Sequence, residues 1–230
     1  MTMSRAQLSE RALLRLFQLS SAALPIGAFA YSQGLEQAVE LGDVRSAESA
    51  LCWTLGMLDR SILRLDVPVL GRLYQATLEQ DLASLRKWND YLFAARGSAE
   101  LRAEERQVGS ALARLLTRED IAEAESWLRD PRVTLATCFA LAGVAWSAPV
   151  VEVALSYTFA WAEAQVGAAT RLVPLGQSAA QRVLGGLIER AASGVAPALA
   201  LPDAALGSTT PGQVLLSALH ETQYSRLFRS

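Results

Sequence analysis

Ser46 to Leu65 reads SAESALCWTLGMLDRSILRL. Leu51, Leu55, Leu58, Ile62 and Leu65 step by four and three residues, which lines them along one face of a helix of about four turns. Ser46 can offer its hydroxyl to the free amides of the first turn, and Glu48 sits where the helix dipole favours a negative charge. The same period recurs outward from this stripe. Leu82, Leu85, Trp88 and Leu92 repeat it, as do Val108, Ala111, Leu112 and Leu115. Asp66-Val67-Pro68 reads as a further helix start, because proline is tolerated in a first turn. Thr117 with Asp120 predicts a capping arrangement that opens a short helix through Trp127. Beyond Pro131, helices are expected over residues 133–147, 149–170 and 177–192. Neither a useful alternating strand pattern nor an internal repeat is present. The expected fold is all-α, a single compact helical bundle of about 8–10 helices. Residues 1–194 form the expected helical domain. Residues 195–211, rich in Ala, Pro and Gly, read as a linker, and residues 212–230 as a C-terminal segment that packs on the same domain or on a partner.

Composition supports a large core and excludes several functions. Apolar residues make up 51% of the 230-residue chain and charged residues 19%. Alanine and leucine dominate, and unbranched side chains lose little freedom in a helix. The net charge of -2 lacks the basic footprint of a nucleic-acid binder. Lys87 is the one lysine among 21 basic residues, a bias that genome composition explains. Cys52 and Cys138 lie in apolar helical surroundings and read as buried free thiols. Arg5, Glu10, Arg11 and Arg15 interrupt any signal-peptide core, so a cytoplasmic location is expected. Val133 to Val151 carries no charge over a length close to a membrane span. Its Ala, Thr and Gly content and the break at Ser147-Ala148-Pro149 favour a helix buried within a bundle.

Catalytic machinery is not visible. The chain has one histidine, His220, and neither a CxxC nor an HxxxH pair from which a zinc or nickel site is normally assembled. There is no GxSxG elbow for a serine nucleophile and no GxxxxGK[ST] phosphate loop. Gly185-Gly186 reads as a close helix crossing. Glu104-Glu105 and Glu119-Asp120, set among arginines, read as solvated helix faces. These absences point to an interaction protein. The rival readings are a membrane-associated helical protein and an enzyme with an unrecognised active site.

Three stretches are unusual for helical filler. Leu24 to Glu36 reads LPIGAFAYSQGLE; Pro25 and Gly27 set a turn, and Ser32 and Gly34 precede a polar helix face that includes Glu36. Thr170 to Gln177 reads TRLVPLGQ, in which Pro174 and Gly176 end one helix and begin another, flanked by Arg171 and Gln177. The third is His220 to Ser230, HETQYSRLFRS. If this segment is helical, Tyr224, Leu227 and Phe228 share a face beside Arg226 and Arg229. Tyr and Arg are favoured interface anchors, so the tail reads as a segment that folds onto a partner.

The runs LPIGAFAYSQGLE, ELRAEERQVG (Glu100 to Gly109), RLVPLGQ and HETQYSRLFRS, in this order, resemble the urease accessory protein family UreF. The resemblance covers nearly the whole chain from about Leu13. It departs at Ser21-Ala22-Ala23, where the family commonly has a serine–proline pair, and at Ala30, where serine is common. The resemblance implies an all-helical, homodimeric protein without a cofactor of its own. Its implied partners are UreD (also called UreH), the GTPase UreG and apo-urease, with nickel present only in transit. Under this reading Tyr224, Arg226, Leu227, Phe228 and Arg229 dock UreD, while Glu36 and Arg171 are exposed residues facing UreG.

Overall fold

The computed structural model describes residues 8–207 and 210–229. Among these residues the chain is helical and contains no strand. The α-helices are α1 (Glu10–Ser20), α2 (Leu35–Glu40), α3 (Ala47–Met57), α4 (Val67–Leu78), α5 (Leu82–Ala94), α6 (Ala99–Arg118), α7 (Leu135–Ala145), α8 (Val150–Leu172), α9 (Gln177–Leu199) and α10 (Pro211–His220). Short 3-10 turns cover Ala28–Ala30, Ala122–Trp127 and Asp203–Ala205.

The Ser46 to Leu65 stretch is helical from Ala47 onward but not uniformly α. Ser46 caps α3 through a reciprocal arrangement with Ser49. From Leu58 to Asp66 the helix widens to a π conformation, in which the Val67 amide reaches back to the Ile62 carbonyl. Helix therefore runs unbroken from α3 into α4, and Asp66-Val67-Pro68 marks a change of winding inside it rather than a fresh start. Wide turns of this kind are frequent at functional sites. This one presents Asp66 to the interior, where it is 1% exposed.

Helix α7 is the core of the molecule. It packs against α4, α6 and α8, and Ala136 to Gly143 are all buried. This accounts for the uncharged run at 133–151. With 11 residues, α7 spans about 16 Å, roughly half of a bilayer's hydrocarbon core, and no described helix is long and apolar enough to cross a membrane. Its entry is pinned by the buried side chain of Asn89, which accepts from the Thr134 amide at 2.9 Å and donates to the Arg132 carbonyl at 3.0 Å. Helix α6 crosses so closely that a Cβ on Gly109 would stand 2.3 Å from the Val133 carbonyl oxygen.

Several local readings are corrected by tertiary structure. Thr117 lies within the last turns of α6 and bonds back to the Ala113 carbonyl, so it opens no helix; only a 3-10 turn follows. Residues 195–199, read as the start of a linker, continue α9 to Leu199 with Pro197 inside the helix. Cys138 is buried as expected, but Cys52 is exposed. Of the glycine pair, Gly186 makes a close approach to Leu51, whereas Gly185 faces open space.

A smaller apolar cluster stands apart from the main core. Leu35, Ala38, Val44, Ala50, Ala168, Ala169, Val173, Leu216 and Phe228 form it. It draws on α2, α3, α8 and α10, on Val44 and Val173 in the connections after α2 and α8, and on one residue beyond α10.

Candidate functional site: a docked C-terminal tail beside an acidic cavity

The second core is sealed by the tail. After His220 the chain turns through amide bonds to the last carbonyls of α10, and no helix re-forms among the described residues; Ser230 lies outside them. The helical face expected for Tyr224, Leu227 and Phe228 therefore does not exist. Phe228 turns inward and is 5% exposed, while Leu227 is 64% exposed and Tyr224 stands wholly in solvent.

Glu36 is the anchor. It was expected on an exposed face but is buried, at 6% exposure. Its Oε1 accepts from the Leu227 amide at 2.7 Å and its Oε2 from the Phe228 amide at 2.9 Å. Its Oε2 also lies 3.0 Å from His220 Nε2. On the other side of the fully buried imidazole, Nδ1 is 2.9 Å from Glu100 Oε2. Both ring nitrogens of His220 thus face a carboxylate oxygen. Arg226 adds a contact to Glu100 Oε1 at 3.1 Å. The Arg229 amide donates to the Ala30 carbonyl at 2.8 Å, and its guanidinium reaches Gln107 at 3.0 Å, an oxygen shared with the Tyr31 hydroxyl.

The turn motifs exist to make these approaches possible. Gly34 has φ +86° and starts α2; a Cβ there would stand 3.1 Å from the Gln213 carbonyl oxygen of α10. Gly27 takes φ +78° at the turn after Pro25. Ser32 accepts from the Glu36 amide at 3.2 Å. The Pro174–Gly176 corner joins α8 to α9, with Gln177 exposed as the first residue of α9. Arg171, at the end of α8, is exposed as expected, and its guanidinium donates to the Phe29 carbonyl at 3.1 Å. It lies between two rings, 5.9 Å from the Phe29 centroid and 5.7 Å from that of Phe228.

Behind this surface is a cavity of about 360 Å³. The wide turn places Asp66 on its wall, where Arg96 and the Tyr157 hydroxyl bond it. Arg96 also donates from Nε to Glu105 Oε2 at 2.8 Å, and Glu105 Oε1 accepts from the Leu135 amide at 2.8 Å. Burial alone would lower the Arg96 pKa, yet the two carboxylates hold it well above the usual value. Burial pushes the Glu104 carboxyl up to about 8, against the opposing pull of its bond from Gln33. Glu104-Glu105 are thus not a solvated face; Glu105 is 7% exposed. Cys138 is likewise raised by burial. Among the described residues no group of three or more His, Cys, Asp or Glu is placed to hold a metal ion.

The four motif runs thus converge, although as many as 192 residues separate Glu36 from the tail amides it binds. Sequence reading missed Glu100, Gln107, Asp66 and Arg96. Glu100, Glu104 and Gln107 do recur at helical spacing along α6, but each also fits an ordinary polar face.

Comparison with known proteins places the chain in a family. A family model described as UreF matches residues 44–188. The chain is 47% identical over 216 residues to the urease accessory protein UreF of Alkalilimnicola ehrlichii, covering 94% of this chain and 95% of the relative. It is 44% identical to the UreF of Citrobacter koseri, covering 94% and 97% of the two chains. Against the UreF of Pseudomonas putida the identity is 45%, with 96% and 99% covered.

Proposed function

The chain belongs to the UreF family and so serves urease maturation as an accessory protein, and we propose that it does so as a scaffold bridging UreD (UreH) and the GTPase UreG. In this reading it couples GTP hydrolysis to the delivery of nickel into apo-urease, as a homodimer in the cytoplasm, and catalyses nothing itself. The observation that carries the reading is the division within the docked tail. Phe228 is spent on the protein's own core, whereas Tyr224 and Leu227 stay in solvent with the half-exposed Arg226 beside them. Tyrosine and arginine are favoured interface anchors, and a backbone already held by Glu36 and Ala30 leaves less ordering to be done on binding.

The test is co-purification with UreD and UreG. Replacing Tyr224 and Leu227 together by alanine should abolish capture of UreD while leaving the circular dichroism and melting temperature unchanged. Normal pull-down by that double variant sinks the tail as a docking element. Removal of Tyr224 to Ser230 should also abolish capture, but it takes Phe228 with it and is the weaker test.

On the UreG side, Arg171 is the proposed contact and Glu36 acts indirectly, by holding the tail. A GTPase can be stimulated by an arginine supplied in trans. Arg171→Ala should lower GTP turnover in the assembled complex; unchanged turnover removes it from that role. Nickel is cargo, meeting carboxylates, backbone carbonyls and water in weak, transient contacts. Calorimetry on the tag-free protein should therefore detect no stoichiometric submicromolar nickel binding.

A further inference from the structure

The docked tail completes a second hollow, on the outer face of α6, whose charge is unbalanced. A groove of about 550 Å³ lies between the turn at residues 26–31 and α6. Three guanidinium groups line it, Arg106, Arg114 and Arg229, with Ser110 between the first two along the helix. No carboxylate stands among its described lining residues. The chain as a whole carries a net charge of -2, so this groove reverses the sign of its surroundings.

The way these arginines are held sets them apart. Elsewhere arginines meet carboxylates, as Arg15 meets Glu119, Arg72 meets Asp203 and Arg190 meets Asp59. Here the acceptors are neutral. Arg229 donates to Gln107 Oε1 at 3.0 Å, while its own amide bonds the Ala30 carbonyl at 2.8 Å. Arg106 donates from Nε to the Pro131 carbonyl at 3.1 Å. Such partners fix a side chain in place and leave its charge and its remaining N–H donors free. Arg114 is exposed and makes no hydrogen bond or ion pair among the described residues. Carboxyls bound into the same tail are already committed, Glu36 to the Leu227 and Phe228 amides and Glu100 to His220 and Arg226. Glu104, which acts on Tyr31 at the groove wall, is held up to about 8 by burial and is largely uncharged at neutral pH. Like charges gathered in a concave site without counter-charge raise the local concentration of anions.

We propose that this groove binds a compact, multiply charged oxyanion of the diphosphate class, and that the bound anion clips the C-terminal tail to α6. Arg106 and Arg114 stand two helical turns apart, about 12 Å along the axis. A chain of two or more phosphates spans that interval over the Ser110 hydroxyl, whereas a single tetrahedral anion meets only one end. Arg229 closes on the same ligand from the tail, with the planar donor fork that suits phosphate oxygens. The site is whole only when the tail is docked, so binding and docking reinforce each other.

Calorimetry on the full chain at fixed ionic strength, with inorganic pyrophosphate as probe and sulfate as control, tests the site. Pyrophosphate should bind saturably, one per chain, and more tightly than sulfate. Replacing Arg106 and Arg114 together by glutamine, at exposed positions with no bond to the tail, should weaken binding at least roughly tenfold. With pyrophosphate at ten times its Kd, hydrogen exchange at the Leu227, Phe228 and Arg229 amides should slow by up to roughly tenfold, with none of that change in the double variant. No saturable binding, equal affinity in the double variant, sulfate as good as pyrophosphate, or unaltered exchange in the tail overturns the proposal. So does tighter binding of a hexaglutamate peptide than of pyrophosphate, which would make the groove a seat for an acidic protein segment. Neither measurement reads partner capture, so this site and the scaffold role fail or stand separately.

Discussion

Glu36 receives two backbone amides and faces an imidazole, and it does so in a site almost closed to water. Removing one member of such a buried set strands the others, at a cost of about 3–5 kcal/mol. Glu36→Ala should therefore destabilise the protein by roughly that amount in urea unfolding, with the Leu227 and Phe228 amides the first to lose protection from hydrogen exchange. Phe228→Ala, which empties part of the second core, should cost about 2–4 kcal/mol by the same measurement. Glu104 yields a prediction of different sign. Its folded-state carboxyl titrates near 8, above the ordinary value of 4.5, so the native state holds a proton that the unfolded chain releases. Its contribution is complete below about pH 4.5 and is lost as pH rises through 8. Glu104→Gln should thus be more stable than the native sequence at pH 9, by on the order of 2 kcal/mol, with the gap closing toward pH 5. These residues were hard to read from sequence for one physical reason. A carboxylate on an amphipathic helix looks solvated until its partner is known, and the partners of Glu36 lie 184 to 192 residues away.

Helices were the most legible feature, because their signal is local. The period-3.6 pattern located α3, α5 and α6 and predicted α7, α8 and the start of α9 close to their observed positions, and the glycine–proline corners marked the connections. The wide turn at Leu58–Asp66 was not legible. Shifting the hydrogen bonds by one residue leaves the spacing of Leu58, Ile62 and Leu65 unchanged, so apolar pattern alone cannot reveal it. The end of α9 was misjudged for a related reason. Ala-, Pro- and Gly-rich sequence looks like linker, but packing against Gly71 by Leu199 and burial of Val195 and Ala198 carry the helix on. At this scale two glycines make testable claims. Gly109→Ala would set a methyl 2.3 Å from the Val133 carbonyl oxygen and force α6 off α7, so a loss of about 2–3 kcal/mol in thermal unfolding is expected. Gly34→Ala imposes a left-handed backbone on alanine at a point that also touches α10, so about 1–2 kcal/mol should be lost. That loss should appear as faster hydrogen exchange in α2 and α10 and no change in α7.

The molecule as a whole carries two cores of unequal reach. The main one closes around α7 and depends on contacts along most of the chain; the smaller one is finished only by Phe228. All-α class and large core were visible in composition and periodicity. The existence of a second core was not, since it is assembled from four helices, two connections and a non-helical tail, each contributing one or two apolar residues that look unremarkable alone. If the two are as separable as their membership indicates, moderate urea should melt the tail, α2 and α10 before the α7 core, giving exchange protection in two tiers. A single tier for all amides would show instead that one cooperative unit spans both.

The bond between Glu36 and Phe228 also orders events in time. Synthesis runs from the amino end, so α2 leaves the ribosome long before the residues that cover it, with 192 positions still to be made. Throughout that interval Leu35 has no lid and Glu36 no amides to hold. A nascent chain in this state offers a fresh apolar patch and a hungry carboxylate to whatever is nearby, and a tail that arrives late must win that place by competition rather than by default.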